Sequence, residues 1–282
     1  MSATSGLPSP TLHVVRNLAK AGALLGGLPL GLGALTWWLG GIAAGSAGLV
    51  VGLCAAMSLL LIGDRVLLGM LGAADLPAED APALAHTVLQ VSERMGVEIA
   101  ELYAIEDDHP RAFALSGSPR QSSLVVTTGF LELGAVVDLE GLVAHELAHV
   151  RHRDTIVQTP VVLIAASVLE LARLMGPLRR AALVVLGPLA GSVVHLFISP
   201  KREFAADRVA DAASAGPNVV ADGLQRLDRA SELVPFSASP ATEPLYAIDP
   251  FDGDGLAPWF STHPPLAQRM AQLGTRAPVL SD

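Results

Sequence analysis

From Ala21 to Gly63 the chain is almost wholly apolar, and no Asp, Glu, Lys or Arg stands between Lys20 and Asp64. Such a run holds two helices of about 20 residues each, the length that crosses a bilayer. The Gly-rich 40-GGIAAGS-46 is the expected joint, with Trp37 and Trp38 beside it as interfacial aromatics. A basic start, an apolar stretch and a small-residue region also fit a cleaved signal peptide. The second apolar stretch, 47-AGLVVGLCAAMSLLLIG-63, favours a transmembrane hairpin instead. Arg16 and Lys20 precede it, Arg65 follows it and its turn has no positive charge, so the positive-inside rule puts both ends in the cytoplasm.

After residue 66 the periodicity becomes that of a water-soluble domain. Residues 78–96 predict an amphipathic helix stopped by Gly96. Residues 101–106 and 122–130 read as strands, with 112-AFALSG-117 as a third short strand. Residues 138–154 predict a helix, with Asp138 as N-cap and Leu142, Leu147 and Val150 at helical spacing. Two apolar stretches follow, 155–176 and 181–199, joined by 176-GPLRR-180. They read as a second spanning hairpin. Glu170 and His195 within them, and Arg173, Arg179 and Arg180 near their joint, count against spanning and leave a buried or half-immersed hairpin as the alternative. Helices are expected over 203–214 and 217–234, split at Gly216, then a Pro-, Asp-, Gly- and Ser-rich loop to 262 and a short helix over 265–273.

The expected fold class is mainly α with a small β-sheet: integral membrane helices plus a soluble domain. Residues 1–20 form the N-terminus and 21–66 the hairpin. The soluble domain has two parts, 67–154 and 200–282, around the apolar insert 155–199.

Composition agrees with this division. The chain is only 16% charged against the roughly 25% of soluble domains. Its net charge of −9 argues against a general nucleic-acid binder. The acidity gathers in 75–108, which reads as a solvated surface. One cysteine, Cys54, allows neither an internal disulfide nor a cysteine zinc site.

The chemistry starts from 144-AHELAHVRHRDT-155. His145 and His149 are four apart on one helical face, so both imidazoles reach one zinc ion. Glu146 follows the first of them, placed to serve as general base. A catalytic zinc takes a third protein ligand and leaves a position for water. Position 155 is Thr, which closes the option of a histidine six residues on. Glu170 is isolated in apolar sequence; 200-PKREFAAD-207 offers Glu203 as ligand and Asp207, one turn on, to fix a ligand imidazole. The alternative is a Glu-Asp pair on a solvated helix.

Together HELAHVRHRDT, SPKREFAAD, the two N-terminal apolar helices and 261-STHPPLAQRM-270 resemble the HtpX-like membrane zinc metallopeptidases, relatives of the Ste-type CAAX prenyl proteases. The resemblance covers roughly residues 10 to 275. It implies a zincin-like metalloprotease domain and a gluzincin centre with one Zn2+, held by His145, His149 and Glu203, with Glu146 as catalytic base. It also implies a multi-pass protein of the cell (inner) membrane, facing the cytoplasm, that cleaves membrane or misfolded proteins in quality control. The family places two membrane segments between the second His and the ligand Glu, where 155–199 lies. It usually reads Pro-Asn-Ala-Phe-Ala where this chain has 110-PRAFA-114, so Arg111 in place of Asn bears on how substrate is held. The stretch 110–117 also fits an edge strand that pairs with an extended substrate.

His263 is the candidate second donor to the oxyanion, or a switch that occupies the open zinc position. Asp154 ends the zinc helix, where it fixes Arg151 or His152, orients a ligand, or is solvated. His13, His86, His109, His152 and His195 have no expected role. The expected partners are protein or peptide substrates and the lipid bilayer, with no prediction of oligomeric state. The competing functions are CAAX-type prenyl-peptide processing, disfavoured by the few membrane segments, an intramembrane protease, disfavoured by the charged 151-RHRD-154, and a non-catalytic zinc-binding membrane scaffold, disfavoured by the intact Glu146.

Overall fold

The computed structural model describes residues 7, 9–118, 121–134, 139–234, 239–247 and 260–274. Helix α1, Thr11–Leu71, folds back on itself at Gly40 and Gly41, whose backbone is non-helical. Gly41 has φ 74°, a left-handed value that glycine adopts without a Cβ penalty. The two arms then lie side by side. A Cβ on Gly52 would fall 2.4 Å from Pro29 Cα, and one on Gly48 would fall 2.0 Å from Thr36 Oγ1. Small residues let helix backbones approach this closely, the usual device of packing in lipid. Trp37 and Trp38 at the tip are 61% and 81% exposed, and Leu30, Leu39, Ile42 and Leu61 also point outward.

Four strands form one sheet: β1 Ala74–Asp75, β2 Glu101–Ile105, β3 Ala112–Ser118 and β4 Gln121–Thr127, in the order β1-β2-β4-β3. Strand β2 runs parallel to β4, and β3 lies antiparallel to β4 at one edge. The strand expected over 122–130 stops at Thr127 and helix α3, Thr128–Gly134, begins. The cause is local. Thr127 Oγ1 accepts a hydrogen bond from the Phe130 N–H at 3.2 Å, the N-cap pattern of a side-chain oxygen three residues ahead.

Helix α2, Pro82–Met95, ends at Gly96 with φ 64°. Helix α4, Glu140–His152, carries the HExxH run and is buried on nearly every side; the expected N-cap Asp138 lies outside the described residues. Around it pack α2, α7 (Lys201–Ala213) and α8 (Val219–Ser231). Leu84, Met95, Leu142, Leu147, Val209 and Leu224 form part of this core. Close packing explains Gly141, where a Cβ would meet Val219 O at 2.3 Å. Helix α8 starts at Val219 after Asn218, which has φ 65°, two residues beyond the Pro217 expected to open it.

Helices α5, Thr155–Leu174, and α6, Arg179–Phe197, pair through a 3-10 turn at Gly176–Leu178. They are not equivalent. Helix α5 is largely buried, joining Ala21 and Leu24 of α1 to Ala190 and Val194 of α6 in a second core. Helix α6 presents Val184, Val185, Leu189 and Leu196 outward. Helices α1, α5 and α6 with its preceding turn are long and apolar enough to cross a membrane. Of the loop expected over 235–262, the structure describes 239–247, with a 3-10 strap at Pro240–Leu245, and 260–262, ahead of helix α9, Leu266–Leu273.

Candidate metal centre

His145 and His149 face α7 one turn apart, and Glu203 stands in the first turn of that helix. His145 Nε2 lies 3.2 Å from Glu203 Oε2, His149 Nε2 lies 3.6 Å from Glu203 Oε1, and the two Nε2 atoms are 3.3 Å apart. The other nitrogen of each ring faces a carboxylate. His145 Nδ1 faces Asp207 Oδ1 at 2.9 Å and His149 Nδ1 faces Asp154 Oδ2 at 2.8 Å. Both Nε2 atoms therefore converge on a carboxylate that is fully buried and, among the described residues, has no well-aligned hydrogen bond on either oxygen, with Arg202 Nε 2.9 Å from Oε1. Lone pairs so close repel unless a cation lies among them. Zinc bound tetrahedrally at about 2.0–2.1 Å separates its ligand atoms by about 3.3 Å. The donor set and its spacing fit that ion.

The electrostatics agree. Burial lowers the His149 pKa, but Glu203 and Asp154 outweigh it and push it up to about 10. Burial and Arg269 lower the His145 pKa, and Asp207 and Glu203 carry it above the ordinary value. Burial would raise the Glu203 pKa, but His263, His149 and Arg202 hold it well below the usual carboxylate range. A field that holds protons on histidine also holds a divalent ion, which displaces them.

Glu146 lies beside this cluster. Its Oε2 accepts the backbone N–H of Ala114 at 3.2 Å, so edge strand β3 fixes the carboxylate. Burial chiefly raises the Glu146 pKa, as suits a base that works near neutrality. The next outward amide of β3, Ser116, reaches Thr159 Oγ1 at 3.3 Å, and Ser116 Oγ pairs with Thr155 Oγ1 at 2.6 Å. The first turns of α5 thus abut the edge strand.

The strap and α9 close the other side. His263 directs Nε2 toward Glu203 Oε2 at 3.6 Å, and Nε2 has no hydrogen-bond partner among the described residues. Its Nδ1 donates to Glu243 Oε1 at 2.7 Å. Glu243 is fully buried and also accepts Thr262 N and Thr262 Oγ1, each at 2.9 Å. Arg269 forks onto Asp207, Nε to Oδ2 at 2.8 Å and a terminal nitrogen to Oδ1 at 2.6 Å, and donates to the Ala247 carbonyl. Arg202 Nε lies 2.9 Å from Glu203 Oε1.

The structure thus brings His145, Glu146, His149, Glu203, Asp207 and His263 to one place. Of the alternatives for Asp154, the contact made is with His149; Arg151 donates to the Met95 carbonyl, and His152 Nδ1 has no hydrogen-bond partner among the described residues. Arg111 is buried, its guanidinium bonded to Asp107 and, at 3.2 Å, to Tyr246 Oη. Its hydrogen bonds join the sheet to the strap. Glu243, Arg269 and Arg202 were not anticipated. A weak signal existed only for Arg269, a charge one turn into a short helix after the HPP run.

Residues 78–277 match the family described as Peptidase family M48. Three curated relatives, each described as a protease HtpX homolog, match along most of their length. The protein of Paraburkholderia phytofirmans is 31% identical over 83% of this chain and 90% of its own. That of Ralstonia nicotianae is 32% identical over 83% and 89%, and that of Burkholderia ambifaria 31% over 87% and 93%. No solved structure matches the chain.

Proposed function

The chain belongs to peptidase family M48, and from that premise we propose a membrane-anchored zinc endopeptidase in which Glu146 is the general base. The observation that carries the reading is the convergence of the His145 and His149 Nε2 atoms on the fully buried carboxylate of Glu203. Zinc, when bound there, polarises the scissile carbonyl and lowers the pKa of water toward about 7. Glu146, held by the Ala114 amide, takes the proton of the attacking water and delivers it to the leaving amine. Asp207 and Asp154 keep each ligand imidazole in the tautomer that presents Nε2. Extended substrate approaches the β3 edge, where it would have to displace the contacts of the Ala114 and Ser116 amides with Glu146 and Thr159.

His263 serves as the second donor to the developing oxyanion. With Nδ1 engaged by Glu243, its Nε2 faces the site and donates when the ring carries both protons. His263→Ala is expected to lower kcat about 10²- to 10³-fold with KM little changed. Steady-state kinetics on a quenched peptide checks this; a defect confined to KM would place His263 in substrate binding.

The arms of α1 and helix α6 form the membrane part, supported by their exposed apolar faces, with α5 packed against both. Both ends of α1 meet the protease domain, Asn17 at Asp154 and Leu67 in a core with Phe113. Arg16, Lys20 and Arg65 therefore stand on the side of the active site, and the positive-inside rule assigns that side to the cytoplasm. Because Thr155 and Thr159 of α5 touch the edge strand, the site lies close to the bilayer surface. Substrates are unfolded or membrane-tethered segments that reach that surface.

The test is proteolysis by the purified chain in detergent. Cleavage of an unfolded protein is expected to stop with chelator and to return with one equivalent of zinc. Cleavage indifferent to chelation would overturn the reading.

A further inference from the structure

The first helix enters the metal centre directly. Asn17, 5% exposed on α1, donates from Nδ2 to Asp154 Oδ1 at 2.6 Å and to the His152 carbonyl at 3.0 Å. The other oxygen of Asp154 takes His149 Nδ1 at 2.8 Å. One amide therefore does two things. It supports the carboxylate that fixes a ligand imidazole, and it satisfies one of the last carbonyls of α4, which have no partner within the helix.

Asparagine suits the place. It brings two donors without charge, whereas an aspartate would set one carboxylate against another and an apolar residue would leave two buried acceptors unpaired. Its neighbours on the same helical face act alike. His13, one turn earlier, stacks on His152 with ring centroids 4.7 Å apart. Lys20, a turn later, donates from Nζ to the Phe197 carbonyl at 2.5 Å, just ahead of the helix that carries Glu203. His13, Asn17 and Lys20 thus touch the chain on both sides of the ligand set.

We infer that Asn17 is a positioning residue of the metal centre, acting through Asp154 on His149, so that the centre is fully organised only while the N-terminal helix is docked. The inference rests on the proposed assignment of His149 as a metal ligand. Supporting residues of this kind carry roughly 10- to 100-fold in metal affinity.

The experiment measures zinc affinity of the full chain in detergent by chelator competition, together with the visible spectrum of the Co2+-loaded protein. Asn17→Ala is expected to weaken zinc about 10- to 100-fold and to alter the cobalt bands. In an Asp154→Ala background the same change is expected to cost less than about twofold, because the link it acts through is gone. Asn17→Ser, which keeps a hydroxyl donor at a shorter reach, serves if the alanine variant does not fold, with an intermediate loss expected. Wild-type affinity in a folded Asn17 variant, or an equal loss in both backgrounds, would overturn the inference. Failure of the underlying assignment reads differently: His149→Ala would then bind zinc as the wild type does.

Discussion

Glu146→Gln is expected to abolish peptide hydrolysis while leaving zinc bound. The substitution keeps the shape of the side chain and removes the atom that accepts the proton. Gln still offers an oxygen to the Ala114 N–H, now 3.2 Å from Glu146 Oε2, so the local structure survives. Loss of a general base costs about 10²- to 10⁴-fold in rate. Zinc content is expected to stay at one equivalent because the proposed donors are His145, His149 and Glu203, the three that cluster, and Glu146 is not among them. Initial rates on a quenched peptide and metal analysis of the same sample check both halves. Retained cleavage would remove Glu146 from the role of base. Zinc lost together with activity would make it a ligand.

Glu203→Gln is expected to lose metal and activity together. Glu203 is fully buried between His145 Nε2 and His149 Nε2 and holds its negative charge against burial with the help of His263, His149 and Arg202. The amide brings a neutral oxygen and an NH2 group that points protons at imidazole lone pairs. Zinc affinity should therefore fall by more than the roughly 10- to 100-fold typical of a supporting residue. It also leaves Arg202, at 2.9 Å from Glu203 Oε1, facing a neutral group in the interior. Chelator competition and metal content check the prediction, with circular dichroism to confirm the fold. A Glu203→Gln protein that kept one zinc with wild-type affinity would return the third-ligand assignment to another acid.

What could be read in the chain was local. His145, Glu146 and His149 share one helical turn, and a pattern of that length survives in one dimension. The hairpin of α1 could be read because 43 positions without charge have few other physical solutions, and the break falls at Gly40–Gly41 within the expected joint. The strand expected over 122–130 was too long because the Thr127 hydroxyl caps a helix, a competition that apolar β-rich sequence hides. For the insert 155–199 the sequence offers a spanning hairpin or a buried one, each applied to both helices together. The structure makes α5 a buried element and α6 an exposed one.

Sequence alone determined the candidates: two imidazoles and a carboxylate at fixed spacing, a later Glu-Asp pair that only the family resemblance singled out, and apolar stretches long enough for a bilayer. Tertiary structure decided how those donors are held. Asn17 meets Asp154 across 137 positions, Arg269 meets Asp207 across 62, and Glu243 meets His263 across 20 through the strap. No periodicity links such pairs. They form because a buried polar atom must find a partner wherever the packed chain brings one, and only the packing of α1, α4, α7 and α9 settles which partner that is.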